Sequence, residues 1–286
     1  MVYNIRVLKT ISKMNVRWAF NFNNWNPTEN ELLLATSCIQ TDEKERLNKF
    51  VFRNDFKASL IGRLLMRKYI NIALKIPYNE IILERDEKGK PFLPNSKSIS
   101  FNVSHQGNYV VFAGALGRQT IGVDVMKMEY TGGKDINNFF RLMSKNFSQY
   151  EWNTIKYGHK VNEHIGMFYR HWCLKESYVK ALGVGITINL QDISFKINTK
   201  QLQHDEIVTD TELYVKNKKV NWLFEECLLG ELNDHVVAVA INKSEGEPND
   251  LVHFKEFNFQ ELMEGSSSLL EPDLNYCKGY FTKLQR

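Results

Sequence analysis

The chain has 286 residues, about a quarter of them charged, and a formal charge of +4. That length and balance argue against a disordered chain and allow one large domain or two modest ones with sizeable cores. So small a charge does not by itself argue for nucleic-acid binding, although local clusters of Lys and Arg suit anionic ligands. No apolar run approaches the roughly 20 residues of a membrane helix, and the segment from Met1 to Lys9 lacks a signal-peptide core. Cys38, Cys173, Cys227 and Cys277 form no CxxC pair, so a cytosolic protein with reduced thiols is expected rather than a zinc ribbon or a disulfide framework.

Val16 to Phe22 alternate as a strand, and Pro27-Thr28-Glu29-Asn30-Glu31 opens a helix with a cap and early acids. A longer helix begins near Asp42. From Phe56 to Leu74 the apolar residues Leu60, Leu64, Leu65, Tyr69 and Ile70 recur at helical spacing, with basic residues on the other face. Pro77 follows, then a short strand at Ile81-Ile82-Leu83 and a donor-rich turn from Asp86 to Pro91. Phe101 to Gly107 reads as a strand ending in a polar corner, and Tyr109 to Ala115 runs back.

Ile121 to Val125 is a further strand, interrupted by a single carboxylate at Asp124, and Tyr130 to Asp135 is a loop. Helices follow at Ile136 to Met143 and Gln149 to Tyr157, the second entered through a Ser148/Glu151 capping box. Met167 to Leu182 is the next helix, stopped by Gly183 and Gly185. Strands are expected at Asp192 to Ile197, Thr211 to Val215, Trp222 to Cys227 and His235 to Ile241, the last buried on both faces. Ser244 to Asp250 reads as a linker, Phe254 to Met263 as a docking segment, and about the last twenty residues as mobile.

These elements give an α+β class with two similar halves, each carrying strands and one long helix with basic residues. The expected divisions are an N-terminal α+β subdomain at 1–117, a C-terminal α+β subdomain with the metal site at 118–243, and a linker with a partly mobile extension at 244–286. A ligand site would fall at the seam near Gly117.

Within the helix after Met167, Trp172, Glu176 and Lys180 fall at i, i+4 and i+8 on one face. Such Glu/Lys pairs are common on solvated faces and add only about 0.2–0.5 kcal/mol. Asp124 and Glu176 together suit a hard divalent cation such as Mg²⁺ better than zinc, which prefers His or Cys; a strand Asp is also read as a structural ion-pair partner. Magnesium completes its shell with waters and phosphate oxygens, and Arg46, Arg85, Lys88, Lys90, His105 and Lys180 supply donors for such phosphates. Arginine forks suit a terminal phosphomonoester, and lysine a bridging oxygen. Adjacent Ser104 and His105 point to opposite faces of a strand, which argues against a serine hydrolase pair.

Lys88-Gly-Lys-Pro91, Phe101-Asn-Val-Ser104-His105, Ile121-Gly-Val-Asp124 and Trp172-x-x-Lys175-Glu176-Ser-x-x-Lys180 together resemble, in order and spacing, the motifs of the Sfp-type 4'-phosphopantetheinyl transferases. The likeness runs from Val16 to beyond Val236-Val-Ala-Val-Ala and is nearest to the animal members, through Met167-Phe-Tyr-Arg170 and Ile121 to Lys127. It implies two pseudo-symmetric α+β subdomains with the active site at their seam and transfer of the 4'-phosphopantetheine arm of coenzyme A to a serine of apo acyl- or peptidyl-carrier domains. Carriers of the fatty acid synthase and aminoadipate-semialdehyde dehydrogenase types are the implied partners. By position it implies coenzyme A contacts at Arg46, Arg85, Lys88, Gly89, Lys90, Asn102, Val103, Ser104, His105, Asp124, Glu176 and Lys180, with catalytic roles for Glu176, Lys180 and His105. Asp124 and Glu176 would bind Mg²⁺. Many bacterial relatives place a second acid two residues after the aspartate; here that position is Met126, a poor magnesium ligand, and the third site is assigned to water or Gln106. Glu176 is the expected general base, with water as the alternative. Lys57, Arg63, Arg67 and Lys68 are read as docking charges for an acidic carrier or as solvated helix residues, and a monomer is expected, with no nucleic acid and no membrane.

Overall fold

The computed structural model describes residues 15–96, 98–117, 119–130, 135–185, 188–242 and 251–285. The expected loop across 131–134, the linker at 244–250 and the N-terminal residues 1–14 lie outside them. The chain forms two compact units, one from the described residues up to Gly117 together with Val252 onward, the other from those between. Helices and strands mix in both, the α+β class expected.

The first unit begins with β1 (Val16–Asn21) and α1 (Glu29–Ser37), whose Thr28 and Glu31 make a reciprocal capping box. Next come α2 (Thr41–Asn48) and α3 (Arg53–Leu74), then β2 (Glu84–Arg85), β3 (Pro91–Phe92), β4 (Ile99–Gln106) and β5 (Tyr109–Leu116). The strand expected at Ile81–Leu83 is displaced to Glu84–Arg85. The Leu83 N–H is taken by Gln40 Oε1 at 2.7 Å and cannot enter a ladder, while Arg85 pairs with Pro91 across the Asp86 turn. Residues β4 and β5 form a hairpin around Gly107, which turns with φ 63°. Helix α3 covers this hairpin, and Gly114 on β5 leaves room for the Tyr69 ring, which an added Cβ would meet at 2.7 Å.

The basic residues of α3 are a correction. Lys57, Arg63, Arg67 and Lys68 are between 1% and 8% exposed, so they are neither docking charges nor solvated. Lys57 Nζ donates to the Phe22 and Trp25 carbonyls at 2.8 and 3.1 Å, Arg67 to the Tyr78 carbonyl at 2.7 Å, and Lys68 to the Glu264 carbonyl at 2.8 Å. Long cationic stems lie along the core and their heads satisfy loop carbonyls that would otherwise be buried without donors.

The second unit contains β6 (Thr120–Lys127), α4 (Ile136–Leu142), α5 (Gln149–Ile155) and α6 (Val161–Leu182). After these come β7 (Ile193–Lys196), β8 (Glu212–Val215), β9 (Lys218–Val220), β10 (Leu223–Leu229) and β11 (His235–Asn242). Helix α6 starts at Val161 rather than Met167, because Gly166 weakens the helical signal without ending the helix. Strand β9 was not expected: the β8–β9 turn is made by Lys216 and Asn217, both at positive φ, without the glycine that usually marks such a turn. Antiparallel β10, β11 and β6 make a sheet with β11 central and buried on both faces, and β7, β8 and β9 make a second sheet. Helix α6 lies directly on β6. A Cβ on Gly122 would stand 2.1 Å from the Ser177 carbonyl oxygen and 2.4 Å from the Ala181 nitrogen.

The chain then returns to the first unit with β12 (Lys255–Glu256), α7 (Phe259–Met263) and α8 (Leu274–Phe281). Strand β12 pairs parallel with β1, completing a sheet in the order β12-β1-β5-β4. Phe257, Phe259, Leu262, Met263, Cys277 and Tyr280 enter the same core as Trp18, Leu64 and Phe112. Docking of Phe254 to Met263 is thus found, but the segment beyond it is no mobile extension. Arg53 donates to the Lys283 carbonyl at 3.0 Å, and Lys283 Nζ to the Asn48 and Phe50 carbonyls at 2.9 and 2.6 Å. No described helix is long and apolar enough to cross a membrane.

Candidate active site

In the second unit the sequence-selected ions converge. Asp124 sits mid-way along β6, buried, and its Oδ1 accepts from Lys180 Nζ at 2.5 Å. Helix α6 brings Glu176 to the same place one turn before Lys180. Burial raises the Glu176 carboxyl and the charge of Asp124 raises it further, while Lys180 opposes both. The approach at Gly122, two residues before Asp124, lets the helix come near enough for this contact. Cys173 adds a tie, its Sγ donating to the Asp124 carbonyl at 3.2 Å.

This donor set fits a hard divalent cation. A carboxyl whose proton affinity is raised by burial and by a neighbouring carboxylate is relieved by a doubly charged ion, and carboxylate oxygen is the ligand magnesium prefers. Among the described residues no group of three or more His, Cys, Asp and Glu side chains gathers as a metal site. An ion here would therefore keep waters or substrate oxygens. Met126 packs at the edge of the apolar cluster that includes Val236 and Ala238 and supplies no hard oxygen.

The remaining selected residues lie in the first unit. Arg46 is in the last turn of α2 and Arg85 on β2. The turn between β2 and β3 is pinned by Asp86, whose Oδ1 accepts from the Lys88 and Lys90 N–H groups at 3.0 and 2.8 Å, with Gly89 at φ 79°. Arg85 then donates to the Gly89 carbonyl at 2.7 Å, so the arginine and the lysine turn form one piece. On β4, Asn102 and Ser104 are buried, Val103 is half-buried beside α3, and His105 and Gln106 are exposed at the hairpin end. Ser104 and His105 thus occupy opposite faces, as expected for a strand.

Several residues that shape the site escaped sequence reasoning. Glu43 on α2 accepts from Arg85 at 2.6 Å and lies 3.2 Å from Arg63 and 3.9 Å from Arg46. Lys175, placed beside the catalytic face by spacing alone, is fully buried and pairs with Glu151 at 2.9 Å, also donating to the Leu190 and Ile193 carbonyls. Arg170 forks onto Glu226 at 2.7 and 2.9 Å, and Thr211 donates to the same carboxylate at 2.6 Å. The capping box was a partial signal for Glu151; nothing local marks Glu226 or Glu43, whose partners lie far away in sequence. Trp172 stacks on Phe168 and packs against Phe147, an anchor and not a reacting group.

Comparison with known proteins converges on one family. Residues 23–117 match the model "4'-phosphopantetheinyl transferase, N-terminal" and residues 120–240 the model "4'-phosphopantetheinyl transferase superfamily". The chain is 40% identical to the L-aminoadipate-semialdehyde dehydrogenase-phosphopantetheinyl transferase of Xenopus laevis, with 98% of this chain and 96% of that protein covered. It is 37% identical to the protein of the same name from Homo sapiens, covering 93% and 90%. A 4'-phosphopantetheinyl transferase of Aneurinibacillus migulanus is 32% identical, covering 64% and 69%. With Asp124, Glu176 and Lys180 gathered on β6 and α6, and with likeness over nearly the whole length of the animal proteins, the chain belongs to the 4'-phosphopantetheinyl transferase superfamily.

Proposed function

We propose that this transferase moves the 4'-phosphopantetheine arm of coenzyme A to a serine of an apo acyl- or peptidyl-carrier domain, with Mg²⁺, a holo-[acyl-carrier-protein] synthase activity. The carrying observation is the junction of Asp124, Lys180 and Glu176, two carboxylates and an ammonium held together by a helix seated on a strand. In the transfer, the serine oxygen bonds to the phosphorus that bears pantetheine. The bond from that phosphorus to the bridging oxygen breaks, and adenosine 3',5'-bisphosphate leaves with the electron pair.

Asp124 and Glu176 would hold the ion, and its charge would offset that of the pyrophosphate. Lys180 orients Asp124 and adds a cation beside the same phosphates, where fixed charges are worth most. Glu176 is positioned to take the serine proton, directly or through water, a step typically worth about 10² to 10⁴ in rate. His105, exposed at the end of β4, and the pinned Lys88–Lys90 turn are the coenzyme donors of the first unit, and Gln106 is assigned as a further metal ligand. The printed names of the animal relatives support carriers of the aminoadipate-semialdehyde dehydrogenase type as substrates, with fatty acid synthase carriers as a second class. A cytosolic monomer completes the proposal.

The test is mass. Apo carrier incubated with the protein, coenzyme A and Mg²⁺ should gain about 340 Da, the phosphopantetheine added by phosphoryl transfer; no adduct on several apo carriers would refute the activity. Two follow-up measurements assign residues. An unchanged magnesium titration for Gln106→Ala would remove Gln106 from the ligand set. An unaltered acid limb in the pH-rate profile of Glu176→Gln at saturating Mg²⁺ would rule out Glu176 as the base.

A further inference from the structure

The arginines of the first unit are arranged around a feature the proposed function does not use. Glu43 and Arg63 are a buried floor, their side chains 6% and 9% exposed, and Arg85 and Arg46 rise from it at 25% and 46%. Arg85 is fixed on two sides, by Glu43 Oε1 at 2.6 Å and by the Gly89 carbonyl at 2.7 Å. Arg63 Nε lies 3.2 Å from Glu43 Oε2, held by charge without hydrogen-bond alignment. Burial lowers the affinity of Arg63 for its proton, to a pKa of about 10; Glu43 counters this, and Arg85 and Arg46 add to it. Arg46 is lowered first by burial and then by Arg85. Guanidinium groups crowded in this way are relieved by an anion.

The division of labour follows from charge. A carboxylate that aims two arginines also cancels part of their field. A third arginine behind it restores that field. Three cations around one carboxylate leave an excess of two positive charges, which matches the roughly −1.5 to −2 of a phosphomonoester. Bidentate guanidinium geometry also suits three terminal oxygens better than the bridging oxygens of a pyrophosphate.

We propose that Glu43 and Arg63 are a positioning pair for phosphomonoester recognition: Glu43 aims Arg85 and Arg46, and Arg63 cancels the charge of Glu43, so that a coenzyme bearing a 3'-phosphate is selected over one without it. This rests on coenzyme A being the co-substrate. Neither residue touches substrate; each acts through Arg85 and Arg46.

Calorimetric binding of coenzyme A and of dephospho-coenzyme A separates positioning from folding and from net charge. The double variant Glu43→Gln/Arg63→Met removes both members of the pair and keeps the excess charge at two, and replacing both partners of a buried pair is close to neutral for stability. Its preference for coenzyme A over dephospho-coenzyme A should fall about tenfold, the scale of losing one well-aimed charge-assisted hydrogen bond, with the Kd for dephospho-coenzyme A unchanged. Arg63→Met alone should lower the preference further, since it also uncovers the charge of Glu43. An unchanged preference in the double variant, or equal weakening toward both ligands, would overturn the pair's role. Equal binding of both ligands by the unmodified protein would overturn it too, while leaving the transferase reading intact. Failure of the unmodified protein to bind either ligand, together with no mass gain on carriers, would overturn both.

Discussion

Gly122→Ala tests whether the meeting of β6 and α6 is what assembles the ions. The new methyl would stand 2.1 Å from the Ser177 carbonyl oxygen and 2.4 Å from the Ala181 nitrogen, whereas real Cβ contacts essentially never fall below 3.0 Å. Both obstacles are backbone, so no side-chain rotation relieves the clash, and strand and helix must part by about 0.9 Å. Overpacking of this kind costs ~1–3 kcal/mol or more. At about 4 °C per kcal/mol for a unit of this size, the Tm should drop by at least ~4 °C. The same displacement would stretch the Asp124–Lys180 contact from 2.5 Å toward the limit of a hydrogen bond. Gly166→Ala is the control on the same helix, because its Cβ would meet nothing closer than Met128 Sδ at 3.8 Å. It removes a helix-interior glycine and should gain ~0.5–1 kcal/mol. Urea denaturation of both variants reads the two signs directly. A Gly122→Ala protein as stable as its parent, or two variants that shift alike, would refute close packing as the origin of the site.

Other outcomes follow from the buried ions. Lys175→Met leaves Glu151 in the core without its cation and should cost ~3–5 kcal/mol in denaturant unfolding; a loss below 1 kcal/mol would mean that Ser148 and Phe195 satisfy Glu151 alone. His171 is buried and its pKa is pushed down to about 3, so the folded state excludes a proton that the unfolded chain accepts below about 6.5. Stability should therefore fall as pH drops through that window, and His171→Leu should flatten the fall, measured as urea midpoints from pH 7 to 4. Lys180 opposes the upward shift of Glu176, so Lys180→Met should drive that carboxyl still higher and move the acid limb of Mg²⁺ or Mn²⁺ binding to higher pH. An acid limb that stays in place would show that Lys180 does not act on Glu176.

Legibility in the sequence followed the range of the forces. Caps act within one turn: the Ser148/Glu151 capping box is found where the sequence marks it, and the cap expected before Glu29 is Thr28, which closes a box with Glu31. Asp124, a lone carboxylate in an apolar strand, was legible because burial of a charge needs a reason, and Lys180 supplies it from α6. The face of α3 failed for the complementary reason. Helical spacing says which residues share a side and nothing about what covers that side, and here Phe22, Trp25, Tyr78 and Glu264 offer carbonyls to cations that pattern alone assigns to water. The C-terminal segment failed similarly: few apolar residues precede α8, yet Cys277 and Tyr280 are enough to seat it on the first core.

The two long helices make the same point in opposite directions. Both α3 and α6 span 22 residues, end in a left-handed cap, and lie on antiparallel strands at a glycine that leaves space for the partner. At Gly114 the space is filled by an aromatic ring, Tyr69, and α3 spends its cations on loop carbonyls and on Glu43. At Gly122 the space is filled by helix backbone itself, which brings α6 nearer to its strand. Polar side chains of α6 near that contact then meet Asp124 instead of solvent, and burial there is partial, since Lys180 remains 29% exposed. A helix pressed this closely to a strand can present an acid and a base together at an accessible edge, the Glu176 carboxyl already raised by burial and by Asp124, whereas one held off by a ring buries them. The proposed chemistry of the chain therefore rests on α6, and the ions of α3 serve the scaffold and the proposed phosphate-binding arginines.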